Sequence, residues 1–211
     1  MPKRRSRSTK TLNERLEGLR KESLAEGKEE MRWRSGLGRK GAAKTFDSFE
    51  VSKGKELAFQ EARSWDPEDG DTGLLFYGPP STGKTHLGCA IANKLIDLGV
   101  YTRFLPTVEI PKHDSEEVER LTDPDEYPVL VLDDVGAEKH TGRALECLYE
   151  IVDGRLRKGA QMVVTTNYQP SELKKKLNAA ENGYGDRIVG RLREACLFVP
   201  VGGKDYRDEA I

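Results

Sequence analysis

No apolar run in the 211 residues approaches the ~20 that a membrane-spanning helix needs. The N-terminus is basic, but no apolar stretch follows it, so a secretory signal is not expected. Cysteine is scarce. Cys89, Cys147 and Cys196 are isolated, odd in number and set in apolar surroundings without metal-ligand spacing. They read as small buried residues of a reducing cytosol. His86, His113 and His140 form no cluster either. The expectation from these absences is a cytoplasmic protein that makes no membrane contact.

What is present is polar. The chain is 36% hydrophobic and 34% charged, with a formal net charge of -1. That near-neutrality hides an asymmetry. Residues 1–44 carry 14 Lys and Arg against 6 Asp and Glu, a net of +8, so the remainder carries -9. A basic arm on an acidic body suits contact with something anionic, nucleic acid or an acidic partner; the alternative is a solvated leader. The length fits one domain plus such an extension, with the arm at 1–44 and the domain at 45–211.

Along the chain, Met1 to about Lys10 is a Ser-rich basic leader. Leu12, Leu16, Leu19 and Leu24 then mark a marginal amphipathic helix weakened by Gly18 and Gly27. "RSGLGRKGAAK" reads as a flexible hinge. Beyond it, strands are expected at about Gly73–Tyr77, in "VYTRFLP", "PVLVLDDVG", "AQMVVTTN" and "CLFVPV", with helices between them. Strands alternating with helices predict a three-layer α/β fold on a parallel five-stranded sheet. The segment Pro106–Pro128 holds four prolines and eight acidic residues, and reads as a surface insertion with one short helix in "DSEEVERLT".

The chemistry starts in "LLFYGPPSTGKTHLGCAI". Gly78, Pro79, Pro80, Ser81, Thr82, Gly83, Lys84 and Thr85 match G-x-x-x-x-G-K-[ST] in full. Gly78 and Gly83 let the backbone curl so that successive N–H groups face phosphate oxygens, and the following helix adds its N-terminal dipole. Lys84 neutralises the β and γ oxygens, and the Thr85 hydroxyl is placed for Mg²⁺. His86, one residue into the helix, is counted with this nucleotide-binding stretch as a packing or hydrogen-bonding residue. ATP or GTP is the expected ligand.

Asp133 and Asp134 end the buried run Val129–Leu132, where a carboxylate lies beside the glycine loop. Asp133 is expected to hold Mg²⁺, and Asp134 to polarise the attacking water. Asn167, ending "VVTTN", can hold that water or the γ-phosphate without adding charge; Thr165 and Thr166 either help or simply favour a strand. Arg187 and Arg191 share one helical face. Either they are arginines that reach a γ-phosphate, from a neighbouring subunit if need be, or they are a solvated face with internal pairs. "NKLID" has one residue too many for a guanine-reading motif and lies in a helix, so a switch GTPase is set aside. A small-molecule kinase would not need this Asp-Asp, Asn, Arg progression. Hydrolysis coupled to assembly fits it.

With these residues in order, the sequence resembles the AAA+ ATPases of the bacterial helicase-loader type, the DnaC/DnaI family, and the related IstB-type transposition helpers. "TFDSF", "GLLFYGPPSTGKTHLGCAIAN", "VLVLDDVGAE", "LYEIVDGR", "VVTTNYQPSEL", "DRIVGRL" and "GKDYR" carry the likeness over about Phe46 to Arg207. The resemblance implies ATP and Mg²⁺ as cofactors, with Asp133 and Asp134 as the Walker B pair and Asn167 as sensor 1. It implies Arg191 as the arginine finger, with Arg187 second, and Arg207 as a sensor-2 arginine. It further implies self-association with ATP, no helical lid, single-stranded DNA, and a hexameric replicative helicase as client. The alternative client is a transposase. Two departures stand out: the region before the domain is only about 44 residues, basic on balance and without zinc ligands, and the insertion is acidic. Single-strand affinity would then have to come from the basic arm through phosphate contacts.

Overall fold

A computed structural model describes residues 27–68, 72–137, 141–180 and 183–203. The leader, the stripe from Leu12 to Leu24, His140 and Arg207 lie outside the described residues. No described helix is long and apolar enough to cross a membrane.

Five short strands are the frame: β1 (Gly73–Tyr77), β2 (Thr102–Pro106), β3 (Val129–Asp133), β4 (Gln161–Thr166) and β5 (Cys196–Pro200). All pair in parallel, in the order β2-β3-β4-β1-β5. β1, β3 and β4 are apolar on both faces because helices cover both. Leu75, Leu130, Leu132, Met162 and Val164 point to one core, with α6 (Gly142–Lys158), α7 (Pro170–Leu177) and α8 (Tyr184–Ala195). Leu74, Phe76, Val129, Val131 and Val163 point to the other. There they meet α3 (Glu56–Ser64) and α4 (Lys84–Asp97). The expected three-layer α/β sheet is what forms.

Local signals set the helix ends. Thr141 caps α6 by accepting from the Ala144 N–H, and Gly159 closes it at φ 64°, a left-handed position. α7 starts with Pro170 at its first turn and a capping box between Gln169 and Glu172.

Two expectations need correction. The stretch read as a flexible hinge is ordered against the body: α1 (27–35) is followed by α2 (Gly38–Ala42), and Leu37 is buried in the α4 core. The Asn93 amide of α4 donates to the carbonyls of Gly41 (3.0 Å) and Lys44 (2.9 Å), which fastens the segment down. A sequence rich in Gly and basic residues gives no sign of this, since the holding group is a single distant asparagine.

The acidic segment forms the expected short helix, but it is anchored in the core rather than lying on the surface as an insertion. A 3₁₀ helix (Thr107–Lys112) and α5 (Ser115–Leu121) bury Ile110, Val118, Leu121 and Tyr127 in the α6 core. Arg155, fully buried on α6, donates to the carbonyls of Leu121, Tyr127, Pro128 and Gln161 at 2.6–3.1 Å. Apolar residues spaced between prolines and acids are hard to see as a pattern; they supply the anchor nonetheless.

Candidate functional site

Sheet order creates the site. β4 lies between β1 and β3, so the turns leaving the C-terminal ends of these three strands sit side by side. Residues 78–83 follow β1, Asp134 follows β3, and Asn167 follows β4. A cavity of about 620 Å³ is lined by Pro80, Ser81, Gly83, Lys84, Thr85, His86, Asp134, Thr165 and Asn167.

The glycine loop has the curl its sequence predicts. Gly78 (φ 145°) has no room for a Cβ, which would lie 2.3 Å from the Val201 carbonyl oxygen. Gly83 (φ 103°) opens α4, and its missing Cβ leaves space for the Phe49 ring, 2.7 Å from where that atom would be. Lys84 folds back over the loop, donating to the Pro79 carbonyl at 2.5 Å. Burial pushes its ammonium down to about 8, against the opposing pull of Asp134 and Asp133. The Ser81 hydroxyl is buried with no hydrogen-bond partner among the described residues. A buried donor left over beside a buried cation is what an incoming phosphate would satisfy.

The acids are held from β4. The Thr165 hydroxyl donates to Asp133 Oδ1 (2.7 Å) and accepts from the Asp134 N–H (2.8 Å). Asn167 Nδ2 donates to Asp134 Oδ1 at 2.6 Å. Thr165, left open in the sequence reading, therefore binds the two acids together. No cluster of three or more Asp, Glu, His or Cys that could hold a metal occurs among the described residues. Thr85 and Asp133 offer hard oxygen donors instead, which suits Mg²⁺ carried largely by phosphates and water.

His86 lies on the N-terminal side of the cavity. Its Nε2 is 2.8 Å from the Thr45 carbonyl and 3.2 Å from the Ser48 hydroxyl, and its ring meets Phe49 edge-on at 5.1 Å. Burial lowers its basicity. Lys44, Ser48, Phe49 and Glu50 complete the cavity wall. These four were not among the expected site residues. "TFDSF" was the available signal, but it bears no ionisable pair or glycine spacing that announces a ligand.

The arginines stand apart. Arg187 and Arg191 lie on α8 in a separate groove with Tyr149, Asp186 and Glu194. Arg191 pairs with Asp153 (2.8 Å) and Glu194 (3.2 Å), and the Arg187 guanidinium sits 6.0 Å from the Tyr149 ring centre. Neither lines the cavity of its own chain.

Comparison with known proteins follows the same lines. A family model described as "IstB-like ATP binding protein" matches residues 5–210. The replicative helicase loader DnaI of Bacillus subtilis is 29% identical over 168 residues, 74% of this chain but 54% of that protein. The replicative helicase loader DnaC of Escherichia coli is 27% identical, over 77% of this chain and 69% of its own length. An ATP-binding protein in an insertion sequence of Mycobacterium tuberculosis is 25% identical over 79% of this chain and 69% of that one. Among solved structures, a DnaI crystal structure superposes with a TM-score of 0.67 at 22% identity, covering 81% of this chain and 94% of that one. A DnaC helicase-loader structure gives 0.63 at 23%, covering 78% and 100%. These two likenesses establish the fold.

Proposed function

The chain belongs to the family of IstB-like ATP-binding proteins, and on that premise we propose that it is an ATPase that loads a replicative DNA helicase onto single-stranded DNA. The observation that carries the reading is the single cavity shared by Lys84, Asp134 and Asn167, in a chain similar to two helicase loaders. Gly78 to Thr85 cradle the triphosphate, and Lys84 neutralises its β and γ oxygens. Thr85 and Asp133 would hold Mg²⁺, which would supply positive charge against the triphosphate. Asp134 polarises the attacking water, and Asn167 fixes both that water and the acid.

Arg191 acts on the nucleotide of a second copy, with Arg187 beside it. What supports this reading is position: Arg191 lies in a groove apart from its own cavity, and its pairs with Asp153 of α6 and Glu194 must open for it to reach another molecule's nucleotide. Self-association with ATP then completes the catalytic set, and Arg207 adds a further cation. The basic residues of 1–44 meet the helicase or the DNA strand.

The test is an assembly and turnover assay with variants. Lys84→Ala abolishes ATP binding, whereas Arg191→Ala binds ATP normally but turns it over at least about tenfold more slowly. Mixing R191A with an equal amount of K84A restores hydrolysis in part, because each supplies what the other lacks. Wild-type turnover by R191A alone moves the finger elsewhere, and tight ATP binding by K84A removes the site.

A second reading is supported by the matched family and by the insertion-sequence relative: an ATP-dependent helper of a transposase. ATP-dependent capture of duplex DNA and a transposase, without a helicase complex, would favour it.

A further inference from the structure

Ser81 and Asp134 are the non-glycine residues with positive φ among those described, at 61° and 63°. Both line the nucleotide cavity. A left-handed aspartate persists only where its surroundings hold it there. Hydrogen bonds from two sides do so around Asp134. Its N–H donates to the Thr165 hydroxyl at 2.8 Å, and its carboxylate accepts from Asn167 at 2.6 Å. The next N–H, of Val135, donates to the Thr165 carbonyl at 2.8 Å. A further bond comes from the opposite side of β3. The Thr107 hydroxyl donates to the Asp134 carbonyl at 2.9 Å.

Thr107 is completely buried and is not itself part of the cavity lining. It is fixed by its own surroundings. It follows Pro106, which pairs in register with Asp133, and it opens the 3₁₀ helix whose Ile110 is anchored in the α6 core. The peptide of Asp134 is thus gripped from both flanking strands, by Thr165 from β4 and by Thr107 from the end of β2.

We infer that Thr107 is a positioning residue for ATP hydrolysis: its hydroxyl locks the Asp134 peptide and so aims the carboxylate at the attacking water. This rests on the reading of Asp134 as the water-polarising acid. Removing the hydroxyl leaves the Asp134 carbonyl with the Ala137 N–H (3.0 Å), a bond made within the turn itself, and the turn can relax from its left-handed conformation. The carboxylate then leaves the water position while the phosphate loop is undisturbed. Thr107 also begins the acidic segment, so a displacement of that segment reaches Asp134 through this bond.

The variant is Thr107→Val, which keeps shape and volume but loses the donor. Expected is a kcat lowered about tenfold, in the range typical of groups supporting a reacting residue. KM and the affinity for a fluorescent ATP analogue stay within about twofold, as they belong to the phosphate loop. Thr107→Ser, which keeps the donor, recovers most of kcat. Wild-type kcat in T107V overturns the proposal, as does an equal loss in T107V and T107S, which would mark a packing role. Should T107V not fold, T107A against T107S carries the same comparison, with serine the faster. Asp134→Asn run in parallel separates the two layers. If D134N hydrolyses as the wild type does, the assignment of Asp134 has failed; if D134N is inactive and T107V is not slowed, only the role of Thr107 has.

Discussion

Lys84 sits at the balance point of the site. Its ammonium is buried, which pushes its pKa down to about 8, and its hydrogen bonds go to the Pro79 carbonyl and the Thr82 hydroxyl rather than to a carboxylate. A triphosphate binds the protonated form. Below about pH 8 the free protein already carries that proton, so affinity should be flat. Above about pH 8 the proton must be taken up on binding, and affinity should fall by up to about tenfold per pH unit. Titration of an ATP analogue from about pH 6.5 to about pH 9.5 checks this, with Lys84→Arg as the reference that does not titrate. A wild-type affinity unchanged at the alkaline end would show that the amine is not depressed. At this scale the sequence was an uneven guide. G-x-x-x-x-G-K-[ST] named the loop because its chemistry depends on backbone curl, which glycine spacing encodes directly. Thr107, Ser48 and Phe49 reach the site through hydrogen bonds and ring contacts to Asp134 and His86, and such contacts exist only once distant parts of the chain are adjacent.

Among the elements, α6 and the segment before it show how an unpromising stretch becomes part of the core. The acidic, proline-rich run up to Pro128 is pinned by Arg155, whose guanidinium replaces water for four backbone carbonyls. Burial pulls that guanidinium down to about 9, so the arrangement is costly and survives because every carbonyl needs it. Arg155→Leu should destabilise the fold by about 3 kcal/mol, seen as a lower urea midpoint with unchanged m-value. A loss under about 1 kcal/mol would mean the carbonyls find water instead. The segment 37–44 depends on a similar device in Asn93. In Asn93→Ala, trypsin should cut faster after the exposed Arg39 and Lys40 than in the wild type; equal rates would show that Leu37 alone holds the segment. Both anchors explain why periodicity found the strands and long helices, yet misread these two stretches. A buried arginine and a buried asparagine look polar in sequence and act as fasteners in the fold.

For the molecule as a whole, the division of charge is the organising fact. Residues 1–44 carry a net of +8 and the rest -9, the acids of α5 being among the latter. Residues 45–211 by themselves should therefore hold DNA weakly, and affinity for a strand or a partner should depend on the basic residues before them and fall steeply with salt. The five-stranded parallel sheet was legible from alternating strand and helix patterns, but its order β2-β3-β4-β1-β5 was not. The proposed role of Arg191 could be read only through the resemblance, because a finger would have meaning only against a second copy. Helicase loading is the most direct test of the proposed function. The protein and ATP would be mixed with the replicative hexamer from the same source, and transfer onto circular single-stranded DNA followed. Expected is ATP-dependent transfer that is lost in K84A and on removal of residues 1–26, which spares the segment anchored by Leu37 and Asn93. Intact ATP binding with neither a helicase complex nor transfer would contradict the loader reading.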